Sequence, residues 1–300
     1  MTTRSSGSYK IEESQTLLIN CIQLINMVNI TIEIDESPDP RESIQLTRYL
    51  YIVNDVKSSL LLAFLEKRRD EALFWAYELY MSGLEEEVFT FILCTVNEFY
   101  VHYPRLIRFV NQKYQEWKNT SDPTILGTCI LNMVTKTTYV RGFIKKYSTD
   151  EELKTSIIEK IPPVVENNIF IFMYDISPYL TIVLDRKWQI LREATKYLVR
   201  TETRMIFEHD HSNCRYDELM QIYLCDWLKY AVQTPIWSQR VTECGGSTET
   251  FSFENDESQE LFYSRYGVET DEQPAEIAMK TIGKPDTKQL SWSEFYAKYG

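Results

Sequence analysis

The sequence predicts a mostly α-helical protein: stacked helical hairpins, as a bundle or a short α-solenoid, then a second helical region and an acidic C-terminal tail. Three observations carry this. Glycine and proline number only 9 and 10 in 300 residues, well under the ~7% and ~5% of average proteins, so tight turns are few. Apolar residues recur at helical spacing between Asn54 and Ile161, interrupted only by short links. Start and stop residues for helices flank most of these runs. No fixed repeat of the TPR or ankyrin kind appears, so bundle and solenoid both stay open.

Residues 1–40 divide into a polar arm and a first apolar segment. The uncharged run between Glu13 and Glu33 is long enough to raise the question of a membrane span. It carries Gln15, Asn20, Gln23, Asn26 and Asn29, whose amides are costly in hydrocarbon, so a buried helix or helix-plus-strand is expected.

Residues 41–162 form the predicted helical-hairpin domain. Asn54 or Asp55 can cap a first helix running to Arg68, with Val56, Leu60, Leu61, Phe64 and Leu65 inward. Asp70 caps the next, and Gly83 can close it in a left-handed conformation. Between Ala72 and Met81 the only charge is Glu78. A helix apolar all round is surrounded by others, so Trp75, Tyr77 and Tyr80 read as core and not as a ligand box. Three glutamates open the helix after Leu84, and Pro104 opens the following one. A single helix is then expected from Thr124 to Tyr147. Ser148 and Glu151 spell a capping box for the last, which stops at Pro162-Pro163.

Residues 163–240 form the second region. "IFIFMYDI" reads as a short strand or buried helix, and periodicity does not separate the two. "DRKWQILREATKYLVRTETRMIFEH", from Asp185 to His209, reads as one amphipathic helix, and "YDELMQIYLCDWLKYAV" as another. Residues 241–300 are acidic, with short helices expected at Glu257–Tyr266, Pro274–Ile282 and Trp292–Lys298. The last has a capping box at Ser291 and Glu294. This tail either docks on the body or folds on a partner.

Two constellations carry chemistry. His209, His211, Cys214 and Cys225 combine imidazole and thiolate donors of the kind tetrahedral zinc takes, although H-x-H-x2-C-x10-C is no standard module. The bland alternative is a polar loop between helices. Arg192, Lys196, Arg200 and Arg204 recur every fourth residue, with Arg186 and Lys187 leading in. On a helix they would line one face able to track phosphates, dock the acidic tail, or face solvent. A net charge of −12 works against polyanion binding by the molecule as a whole.

Phosphate-loop, dinucleotide, zinc-protease and nucleophile-elbow motifs are all missing, so no enzyme is expected. Six cysteines without a CxxC pair read as reduced thiols, and the polar N-terminus does not resemble a signal peptide. An intracellular, cytoplasmic protein without a membrane partner is the expectation. Its function is expected to be protein–protein interaction or scaffolding. The rivals are a nucleic-acid-associated factor using the Arg192–Arg204 face and a zinc-stabilised module around His209, His211 and Cys214.

The segment "VKSSLLLAFLEKRRDEALFWAYELYMSGLEEEVF", Val56 to Phe89, resembles a segment of uncharacterised helical proteins from large nucleocytoplasmic DNA viruses of the mimivirus-like group. The resemblance covers about a tenth of the chain and transfers no catalytic residue. It implies context: a viral protein acting in the infected cell's cytoplasm or carried in the particle.

Overall fold

The computed structural model describes residues 39–158, 162–165, 168–171 and 174–300. The N-terminal arm, the apolar run between Glu13 and Glu33, and part of "IFIFMYDI" lie outside them.

The described chain begins with a buried reversal in which Leu46 bridges Ile52 and Leu50 takes a left-handed φ of 63°. Helix α1 (Val53–Leu65) follows, then α2 (Arg69–Tyr80), α3 (Glu85–Phe99), α4 (Pro104–Thr120) and α5 (Thr124–Val134). Every residue of α2 from Glu71 to Tyr80 is buried. It packs against α1, α3 and α5 and against the turn at Ser177–Tyr179. Contacts between helices distant in sequence, such as α2 with α5 and α1 with α5, make this a bundle about α2. In a solenoid each unit would touch only its neighbours.

The aromatic residues of α2 satisfy their polar tips inside that packing. Trp75 Nε1 donates to Glu71 Oε1 at 3.3 Å. Tyr77 donates to the carbonyl of Pro123 at 2.9 Å and accepts from the amide of Gly127 at 3.1 Å. The Trp117 indole donates to the Tyr80 hydroxyl at 3.1 Å. Gly83 takes the expected positive φ, +85°, and a Cβ there would lie 2.6 Å from Pro235.

Several local expectations are corrected. Neither Asn54 nor Asp55 caps α1, and Asp70 does not cap α2; both aspartates sit inside first turns. The run after Thr124 splits into α5 and α6 (Val140–Tyr147), because Tyr139 donates its amide to the Phe99 carbonyl at 2.7 Å and leaves the helix. Helix α7 (Glu151–Ser156) is capped by Asp150, not Ser148, whose hydroxyl accepts from the Asp150 amide at 3.0 Å. The described residues of "IFIFMYDI" form neither strand nor helix. Asn132 pairs there with both the amide and the carbonyl of Phe170.

The largest correction falls between Asp185 and His209, where only α8 (Ile190–Ala194) is α-helical. Beyond it Thr195, Val199, Thr201 and Thr203 are buried. The backbone is bonded elsewhere, Val199 donating to the Lys280 carbonyl and Arg200 to Ser59 Oγ, both at 2.9 Å. These β-branched residues are stiff in helices, and tertiary partners replace the helical hydrogen bonds.

The chain continues through α9 (Tyr216–Gln221), a π-helical turn (Ile222–Asp226), α10 (Trp227–Ala231) and α11 (Pro235–Glu243). A two-residue hairpin, β1 (Gly246–Ser247) with β2 (Ser252–Phe253), precedes α12 (Asp256–Tyr266), α13 (Ala275–Ile282) and α14 (Trp292–Tyr299). The tail docks on the body: Leu290 donates to the Glu202 carbonyl at 2.8 Å, and Phe295 lies near the rings of Phe143 and Phe207. The capping box at Ser291 and Glu294 is formed. One continuous core takes residues from 41–162, 163–240 and 241–300 alike. Helix α7 ends at Ser156, short of the expected stop at Pro162-Pro163. Among the described residues no helix is long and apolar enough to cross a membrane.

Candidate functional site

A helix first turn usually keeps its acidic side chain in water, beside the exposed amides. Asp55 instead points into the protein and is 0% exposed. Ser58, one turn on, shares its face and is equally enclosed. Two segments from the second half close over them. The turn at Thr201–Arg204 delivers Arg204, and a left-handed Glu208 (φ 52°) turns the chain so that His209 and His211 follow.

Arg204 binds Asp55 with two nitrogens, Nε reaching Oδ1 at 2.9 Å and a terminal nitrogen reaching Oδ2; that nitrogen also donates to the Ile282 carbonyl at 3.0 Å. His211 Nε2 lies 3.2 Å from Asp55 Oδ1. His209 Nδ1 lies 3.3 Å from the same oxygen, but it is too poorly aimed to make a hydrogen bond. His209 Nε2 meets Ser58 Oγ at 3.0 Å. His211 Nδ1 has no hydrogen-bond partner among the described residues.

Burial alone would push the Asp55 carboxyl up. The Arg204 guanidinium, then His211, outweigh burial and hold it well below the usual carboxylate range. Burial pushes His209 down to about 4, against the pull of Asp55. At neutral pH the centre therefore holds an ionised Asp55 and a neutral His209.

Three chemistries use such groups. Ser58, His209 and Asp55 follow the order of a nucleophilic triad, with serine bonded at Nε2 and a carboxylate near Nδ1, although the second hydrogen bond is not made. A nucleophile must meet its substrate, however, and Ser58 is 0% exposed in the middle of α1. The second is a metal: one donor atom each from Asp55, His209 and His211 lies within 4.8 Å of the others. The two spacings to Asp55 Oδ1 are close to the ~3.3 Å edge of a tetrahedron with ~2.0–2.1 Å bonds. Charge decides against it. Arg204 already neutralises Asp55, and a divalent ion would leave two uncompensated positive charges in the interior. The third is structural, a closed ion pair braced by two imidazoles, and both the geometry and the charge fit it.

The predicted ligands do not converge. His209 and His211 come together around Asp55, while Cys214 is only partly buried and Cys225 is exposed on the π-helical turn. Neither thiol belongs to the donor group found among the described residues. The basic row is no face either, because its helix ends at Ala194. Arg192 donates to the Glu272 carbonyl and the Gln273 side chain of the tail. Arg200 holds Glu66 at 2.6 Å and Glu202 at 3.1 Å, and Arg204 is in the buried centre. Lys196 and Arg186 are exposed, and Lys187 donates to the Leu184 carbonyl at 2.8 Å.

Read from sequence, Asp55 has only a capping role and Ser58 is not singled out. One signal is present: "VNDVKSSLLLAFL" sets charges in an apolar run, and a charge inside a buried helix demands a partner. The same rule covers Lys57, paired with Glu87 at 2.5 Å, and Glu78, paired with Arg48 at 3.0 Å. Comparison of the chain with known proteins matches no family model, no curated protein and no solved structure.

Proposed function

We propose that this protein is a non-enzymatic interaction protein, with the Asp55 centre acting as an internal clasp between α1 and the second half of the chain. One observation carries the reading: the most reactive-looking cluster, Asp55, Ser58, His209 and His211, is at most 1% exposed. Groups that no substrate reaches serve the fold. The contact point assigned to the partner is Val183, an apolar side chain that is 81% exposed. The resemblance over Val56–Phe89 supplies a setting, a large DNA virus and its host's cytoplasm or particle.

A serine-reactive fluorophosphonate probe tests the inert centre. The folded protein is expected to stay unlabelled; labelling at Ser58 that Ser58→Ala abolishes would overturn the reading. Affinity purification from the native cell tests the interaction role, comparing the unaltered chain with Val183→Asp. At least one protein partner is expected to be lost, and unchanged partner lists reject binding through this surface.

A zinc-stabilised module is the second reading, favoured by the donor spacing alone. Metal analysis of untagged protein separates the two. The clasp predicts no stoichiometric zinc, whereas one zinc per chain that His209→Ala removes would replace it.

A further inference from the structure

In a chain of net charge −12, a place where cations gather without carboxylates needs a cause. Arg48, Lys187, Arg240 and Arg265, with the rings of Tyr49 and Tyr266, line a cleft of ≈ 250 Å³. Arg48 spends its Nε on buried Glu78 at 3.0 Å and stacks its guanidinium over Tyr49 at 4.5 Å. Lys187 makes its bond to a carbonyl and has no carboxylate partner among the described residues. Glu243, the nearby carboxylate, accepts from the Tyr266 hydroxyl at 2.8 Å and from Gln239 at 2.7 Å.

Arg240 is the anomaly. Its guanidinium lies 4.4 Å from the Trp237 ring and 5.2 Å from the Tyr266 ring. Among the described residues it has neither a hydrogen-bond acceptor nor a carboxylate within ion-pair distance. Burial, with a smaller push from the Arg48 charge, disfavours its charged form. Both rings lie within cation–π reach of the group, and rings leave N–H donors unspent, so these stay open to an oxyanion. A guanidinium held in this way is preorganised for a bidentate oxyanion. Arg265, also without a carboxylate partner among the described residues, stands over Tyr266 at 5.6 Å.

We propose that this cleft binds a phosphomonoester, with Arg240 as principal donor, Lys187 and Arg265 completing the charge, and the Glu78-paired Arg48 forming the floor. Two negative charges suit several cations better than one carboxylate does. The volume falls just below the ~300–1,000 Å³ of ordinary ligand pockets, which fits a small ester and not a polymer. Tyr266 and the apolar wall beside it give the carrier group a surface to lie against. The site is separate from the clasp; Val183, the exposed apolar side chain above, stands in its wall, so the titration below leaves Val183 unchanged and reads the cations alone.

Calorimetric titration of the full chain at low salt tests this, with phenyl phosphate, inorganic phosphate and phenol as probes. Saturable binding of phenyl phosphate is expected, tighter than phosphate, with none for phenol. Arg240→Gln is expected to weaken it about tenfold or more. Arg265→Gln removes an exposed side chain and keeps the test valid should Arg240→Gln unfold; it is expected to weaken binding less but measurably. Absence of saturable phenyl phosphate binding, equal binding of phenol, or affinity unchanged in both variants overturns the proposal.

Discussion

Asp55 shows how one side chain can set the behaviour of its surroundings. Its charge is tolerable at 0% exposure because Arg204 meets it with two nitrogens. Removing one partner strands the other, so Asp55→Asn is expected to cost about 3–5 kcal/mol in urea unfolding. The double change Asp55→Leu with Arg204→Met leaves no stranded charge, and it is expected to recover much of that loss. His209 adds a pH dependence. Its folded value of about 4 lies below the ordinary 6.5, so between those values the unfolded chain takes up a proton that the folded chain refuses. Stability is then complete above pH 6.5 and falls as pH drops toward 4. At ~1.4 kcal/mol per pKa unit the full effect is about 3 kcal/mol. Unfolding midpoints of His209→Gln between pH 7.5 and 4.5 should be flatter than those of the unaltered protein; parallel curves would show that another group is responsible.

Elements obeyed the sequence where their own side chains made the decisive bonds. Helix α14 begins at its predicted position because Ser291 Oγ accepts from the Glu294 amide while Glu294 reaches back to the Ser291 amide. Ser291→Ala is expected to cost about 1 kcal/mol, read as faster amide exchange in the first turn of α14. Unchanged protection would mean that packing of Trp292 and Phe295 holds the helix alone. The segment after Ala194 is the opposite case. Its charge spacing suits a helix, yet Ser59 and Lys280 claim its amides, and no property of residues 195–204 announces those partners.

The whole molecule is joined across its length. Trp237 donates to the Thr47 carbonyl at 3.0 Å, Tyr51 to the Tyr197 carbonyl at 2.9 Å, and the clasp ties residues 204–211 to α1. A core shared in this way should unfold as one unit. Fluorescence of Trp75 and of Trp237, each isolated by replacing the other tryptophans with phenylalanine, is expected to report the same urea midpoint. Two separate midpoints would divide the chain into independent domains.

Composition and apolar spacing by themselves determined the helical class, the burial of α2 and the short helices of the tail, because those depend on each segment's own pattern of burial and capping. The tertiary structure alone decided that Asp55 is the buried partner of Arg204 and no cap, that the arginine row is dispersed, and that four cations surround one cleft. A charge's role depends on what stands opposite it, and residues 55 and 204, or 48 and 240, meet only when the chain is folded.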